Sequence, residues 1–185
     1  MGRARHPTRT KIGASASHAH RGRMWEDRLE AMHAVYMARG RAYVQRNGAP
    51  AIATGRTDAR GRLVMIATDR APPDYTVIAE GRALVLDAKS CASGRWALSN
   101  IHDHQADAFD LAERAGGIGG ILLWMEEGRR MHALLWRDIA TMWWQWRRGN
   151  AARGEASLTD ERAGELAVYS GRDADYLGAV LRAAG

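Results

Sequence analysis

Apolar side chains at Trp25, Leu29, Met32 and Tyr36 recur at helical spacing, predicting an amphipathic helix from Met24 to Asn47 that Gly48 and Pro50 close. Two β-prone runs follow, Ala51 to Thr54 and Leu63 to Thr68, separated by GRTDARGR. They predict a hairpin with a long basic tip from which Arg56, Arg60 and Arg62 project. Strands are expected at Tyr75–Ala79 and Arg82–Lys89, then a helix from Ile101 to Arg114, capped by Ser99 or Asn100 and ended by the glycines after Ala115. Gly120–Met125 and Met131–Trp136 read as strands and Asp138–Arg148 as a helix. A polar segment runs from Gly149 to Asp160, and Asp173–Ala183 closes the chain as a helix. This order predicts a mixed α/β layer fold, a central sheet flanked by helices.

Composition narrows the class. A chain of 185 residues, 46% hydrophobic and 26% charged, is the size of one soluble globular domain. The longest apolar stretch, near Ile118 to Met125, is too short to span a bilayer, and no signal segment opens the chain. A cytoplasmic protein with no membrane partner is expected. The single cysteine, Cys91, excludes an internal disulfide and a four-thiolate zinc site.

Charge is uneven. Of the net +6, all the excess lies in residues 1 to 25, which hold Arg3, Arg5, Arg9, Lys11, Arg21 and Arg23 and no acid. Residues 1–22, rich in Gly, Ser, Ala and Arg without apolar period, are expected to be a flexible basic arm attracted to polyanions, nucleic acid first. A merely solubilising tail is the plainer alternative. Residues 23–185 are expected to form one domain.

The lysines pose a sharper question, since Lys11 and Lys89 are the only two among 27 basic residues. If Glu80-Gly81 is a two-residue turn, Asp74 stands opposite Asp87, with Cβ atoms about 4.5 to 5.5 Å apart, where two carboxylates repel. Alternation puts Val85, Asp87 and Lys89 on one face and Leu84, Leu86 and Ala88 on the other. One positive charge is then Lys89. A divalent cation held by two carboxylates is a natural second, and the pair suits phosphodiester hydrolysis. A compact ammonium serves better there than a permanently protonated, planar guanidinium. A surface ion pair of Asp87 with Lys89, with Asp74 as a turn residue, is the structural alternative.

These residues also resemble a known family. Pro73-Asp74, twelve intervening residues and Asp87-Ala88-Lys89 are similar to the PD-(D/E)xK signature of metal-dependent nucleases. Leu98 to Gln105, LSNIHDHQ, resembles the "NFHxHQ" segment of RecU-type Holliday junction resolvases. RGRMWED from Arg21 to Asp27 resembles that family's "RGxxxED" opening, and GRDADYL from Gly171 to Leu177 its closing "R-x-DYL".

The resemblance implies a restriction-endonuclease-like nuclease core with a protruding hairpin stalk, here residues 54–69. It also implies a homodimer that cuts four-way branched DNA by paired symmetric nicks and requires Mg²⁺ or Mn²⁺. Position by position, Asp74, Asp87 and the Ala88 backbone carbonyl would be metal ligands and Glu26 the helix-borne carboxylate of the site. Lys89 would be the catalytic ammonium and Gln105 a group positioning water or phosphate. Arg21, Arg23, Arg56, Arg60, Arg62 and His104 are the expected DNA contacts. Asp87 stands where the family usually has Glu, and the trimmed chain suggests a phage-encoded or otherwise compact member, with a host recombinase as a further partner. A restriction-type nuclease of the same superfamily and a junction-binding protein with a silent site are the alternatives.

Other features carry less. His102 and His104, two apart at a helix start, are expected to point different ways, which argues against zinc. His104 could serve as a phosphate donor or pack the helix start. Trp143 to Arg148 could form a stacking platform, but core or dimer interface is the expected role. Gly116 to Gly120 lacks the Gly-Lys-Ser/Thr of a P-loop and is expected to be a tight turn.

Overall fold

The computed structural model describes residues 13–67, 70–150 and 155–185. The first helix, α1 (Gly13–Ala38), begins upstream of the expected Met24, so the boundary drawn at residue 22 falls inside a helix. The side chains of Arg21 and Arg23 lie outside the described residues, as does the arm from residue 1 to residue 12. α1 also ends early. Gly40, at φ +64°, lets its own N–H reach Met37 O and the Arg41 N–H reach Tyr36 O, the paired bonds of a Schellman cap. The chain then turns into β1 (Tyr43–Arg46), where a continuing helix was expected.

β2 (Ala51–Thr57) and β3 (Leu63–Ala67) form a two-stranded antiparallel sheet of their own. β4 (Tyr75–Ala79) and β5 (Arg82–Cys91) pair with Ala79 opposite Arg82 and Tyr75 opposite Leu86, as the Glu80-Gly81 turn predicts. Both turn residues have positive φ, 51° and 73°, the signature of a type I′ hairpin. After β6 (Arg95–Ala97) and a 3-10 turn at Leu98–Asn100 comes α2 (Asp103–Arg114). Ser99 and Asn100 therefore sit in that turn, and His102 is the residue that caps α2.

β7 (Ile118–Met125), β8 (Arg130–Leu135) and α3 (Trp136–Arg147) follow nearly as expected. The segment read as polar and irregular contains β9 (Ser157–Thr159), paired with β6, and leads into α4 (Asp160–Leu166), whose Thr159 cap accepts the Arg162 N–H. β10 (Tyr169–Gly171) precedes α5 (Leu177–Ala183), which starts later than expected because Asp173 accepts the Asp175 N–H and holds a turn.

Six strands make the central sheet in the order β1-β4-β5-β7-β8-β10, mixed because β5 and β7 run parallel while the other neighbours are antiparallel. One face is covered by α1 and α5, through Trp25, Leu29, Tyr36, Leu177 and Val180 on Leu84, Leu86 and Leu122. The other is covered by α2 and α3, through Phe109, Trp136, Ile139 and Trp143 on Ile121 and Leu123. Trp143 is therefore core, while Trp144 and Trp146 are half-buried. Gly119 lies within β7 rather than in a turn, and its lack of a side chain is required. A Cβ there would lie 2.8 Å from that of Phe109, so glycine lets α2 approach the sheet. No helix among the described residues is long and apolar enough to cross a membrane.

Candidate active site

The candidate centre lies where β4 begins and β5 ends. Because the β4–β5 ladder stops at Tyr75 and Leu86, Asp74 and Asp87 face each other one step beyond it. Asp87 is buried, its side chain only 2% exposed, and Asp74 is half-buried. Asp74 Oδ2 accepts the Ala88 N–H at 2.9 Å. In a strand the N–H and C=O of one residue point to the same side, so the Ala88 carbonyl faces the same opening, beyond the end of β4. Asn47 braces the segment: its N–H donates to Asp74 O at 2.7 Å and its Nδ2 to Pro73 O at 2.7 Å.

Asp87 is held by two side chains. Gln105 Nε2 donates to Oδ1 at 2.6 Å, and Lys89 Nζ stands 2.7 Å from Oδ2 as an ion pair. Lys89 is the partner of that buried oxygen, through charge and close approach rather than a well-directed hydrogen bond. Burial raises the Asp87 pKa; the Lys89 charge opposes the rise and the Asp74 carboxylate adds to it. Gln105 is itself buried, and its Oε1 accepts the His102 N–H at 3.0 Å. It thus ties the start of α2 to the carboxylate, with both ends of its amide engaged.

A cavity of about 370 Å³ opens beside the centre, lined by Lys89, Ser90, Asn100 and His102. His102 rather than His104 borders it. His104 lies in the next cavity with Arg70 and Arg147, and the two imidazoles are stacked, centroids 5.6 Å apart, where they were expected to diverge. The extended backbone of His102 ahead of the helix brings its ring back over His104.

Glu26 is placed elsewhere. Arg46 Nη2 donates to it at 3.0 Å and Arg46 Nη1 to Glu30 at 3.2 Å, while the Tyr75 hydroxyl donates to Glu30 at 2.9 Å. This network lies on the α1 face of the sheet, whereas Asp87 faces α2. Among the described residues, no three His, Cys, Asp or Glu side chains gather as a metal cluster. A hard divalent cation would have two carboxylates and one carbonyl, with Asp87 Oδ2, the oxygen that Gln105 leaves open, among its ligands, a donor set that fits Mg²⁺ completed by water and phosphate.

Arg56, Arg60 and Arg62 are exposed on the β2–β3 hairpin. Asp58 organises its tip, accepting the Arg60 and Arg62 N–H groups and pairing with the Arg62 guanidinium at 2.7 Å. Sequence reasoning passed over Asn47, which it used only as the end of a helix, and His102, which it set aside with zinc.

No curated protein matches the chain. A family model does: residues 20–182 match the family described as recombination protein U, spanning the opening motif in α1, both aspartates, the lysine and the closing Asp-Tyr-Leu. The chain belongs to the recombination protein U family.

Proposed function

We propose that the protein is a divalent-metal-dependent endonuclease that resolves four-way DNA junctions by paired, symmetric cuts, working as a two-fold dimer. The observation that carries this reading is the buried Asp87 carboxylate, facing Asp74 and bound between Lys89 and Gln105. A carboxylate kept out of water opposite a second carboxylate is costly, and such a cost is tolerated where chemistry uses it.

Asp74, Asp87 and the Ala88 carbonyl would hold Mg²⁺ or Mn²⁺, which polarises a phosphoryl oxygen and lowers the pKa of bound water. Each of the chain's own groups has a distinct task. Gln105 fixes Asp87 Oδ1 and so aims Oδ2 at the opening. Asn47 holds the strand that carries Asp74. Lys89, with its side chain 20% exposed, can swing from Asp87 to a water or a developing phosphorane charge. Glu26, held by Arg46, acts at one remove by fixing α1 against the strand that leads to Asp74.

The β2–β3 hairpin is the stalk in this reading, inserting Arg56 and Arg60 into the junction centre. Its exposed Ile52, Leu63, Met65 and Ile66, each at least half exposed, support pairing with a second copy, since a lone two-stranded sheet is marginal in water. A two-fold dimer matches the two-fold symmetry of the junction and presents one centre to each of two opposed strands.

The test compares a synthetic four-way junction with linear duplex of the same sequence, in Mg²⁺, Mn²⁺ or EDTA. Junction-selective cutting that EDTA abolishes is expected. Equal cutting of linear duplex would make the protein a restriction-type nuclease, and junction binding without cutting in any metal would leave a binding protein with a silent site.

A further inference from the structure

A second charged feature lies at the same end of the sheet, on the α1 face. β7 ends with Met125 opposite Cys91, two residues past Lys89, and Arg129 occupies the turn into β8. Arg172 follows β10 at that edge, and Arg28 comes down from α1. The three guanidinium side chains line one cavity of about 440 Å³. All three are exposed, and among the described residues none forms an ion pair.

The surroundings are built for an anion. The cavity is bordered by Trp124, which stacks on Trp25 with centroids 5.1 Å apart, and Arg28 lies over the Trp124 ring at 5.7 Å. That cation–π contact holds one guanidinium in place before any ligand arrives. Arg129 has φ +49°, a conformation that glycine or asparagine adopts more cheaply. The four-residue turn from Glu126 to Arg129 sets that conformation, its Arg129 N–H reaching Glu126 O, and so fixes where the side chain leaves the backbone.

The one acid lining this cavity, Glu127, packs directly against Gly94, at the far side of the turn. Glu126 and Asp173 border the adjoining cavities, and Asp173 is engaged by the Tyr169 hydroxyl and the Asp175 N–H. Three like charges gathered with no acid among the described residues at ion-pair distance repel one another, and a phosphate relieves them all, since guanidinium matches its oxygens two at a time.

We infer that Arg28, Arg129 and Arg172 form a phosphate-binding cluster that takes a backbone phosphate of the duplex arm flanking the cut. The cluster supplies affinity and register and no sequence preference, because phosphate contacts position DNA while base edges specify it. The identity of the ligand rests on the DNA-cutting function proposed above; the convergence of the arginines does not.

The test is equilibrium binding of a four-way junction and of linear duplex, in EDTA, over a range of KCl concentrations. Arg129→Ala and Arg172→Ala should each weaken binding on both DNAs and reduce the slope of log affinity against log salt by about one. Arg114→Ala is the charge control. It removes an exposed arginine at the C-terminus of α2, next to the start of β7 and so at the opposite end of the sheet, and should leave the slope unchanged. Unaltered affinity and slope in both cluster variants would overturn the inference. So would stabilisation of the unaltered protein by inorganic pyrophosphate with no effect of the substitutions on DNA binding, which would assign the cluster to a small free anion. Because EDTA removes catalysis, a protein that cuts nothing still gives a clear answer here.

Discussion

Asp87 sits between opposing demands. Its burial and the facing Asp74 favour the neutral acid, while Lys89 favours the carboxylate, and the balance leaves its pKa raised. A carboxyl whose pKa is higher folded than unfolded favours folding at low pH and opposes it once pH rises through the folded value. Asp87→Asn keeps an acceptor for Gln105 and removes the buried charge. Thermal unfolding without metal should therefore give the variant a higher Tm than the parent at neutral pH, with the difference shrinking as pH falls into the carboxylate range. A lower Tm at neutral pH would mean that the Lys89 pair outweighs the burial cost. Gln105→Ala should act in the other direction, because it strands Asp87 Oδ1 and the His102 N–H together. The expected cost is about 1 to 3 kcal/mol in denaturant unfolding, the penalty for unsatisfied buried groups; a neutral result would deny Gln105 its structural role at the site.

At the scale of elements, α1 is fixed to α5 by a buried aromatic cluster around His33. Its Nε2 lies 2.9 Å from the Tyr176 hydroxyl, and the Tyr75 ring meets it edge-on at 4.7 Å. Burial pushes the His33 pKa from 6.5 down to about 4. The folded state therefore binds fewer protons than the unfolded chain between those values, and stability falls as pH drops from about 6.5 toward 4. The shift corresponds to roughly 3 kcal/mol at most. His33→Gln should flatten that part of a Tm-against-pH profile, and an identical slope in the two proteins would place the acid sensitivity elsewhere. The elements themselves differed in how far they could be read from sequence. The β4–β5 hairpin was legible because Glu80-Gly81 fixes register, and register places Asp74 against Asp87. β1 was not, because Tyr43 to Arg46 continues a pattern compatible with helix, and only the Gly40 cap and pairing with β4 decide otherwise. β9 and α4 were hidden because strands as short as Ser157–Thr159 acquire their identity from a partner, here β6. The position of Glu26 depends on Arg46 from β1, so missing that strand meant missing where the carboxylate goes.

For the whole molecule, the α/β layers bring one end of the central sheet into register, with the carboxylate–lysine centre toward α2 and the arginine cluster toward α1. No local pattern could reveal that cluster, since Arg28, Arg129 and Arg172 come from three separate parts of the chain. The exposed hairpin and the two-fold symmetry of a junction make the dimer part of the proposed function. A protein that stays monomeric at micromolar concentration in sedimentation, with and without junction DNA, would contradict paired cutting. The most direct test is to map the cut positions on all four strands of a synthetic junction in Mg²⁺, for the unaltered protein and for Asp74→Asn, whose side-chain oxygen can still accept the Ala88 N–H. The account predicts nicks at symmetry-related positions on two opposed strands, lost in the variant while its folding and junction binding persist. Cuts scattered over all four strands, or cutting undiminished by Asp74→Asn, would contradict it.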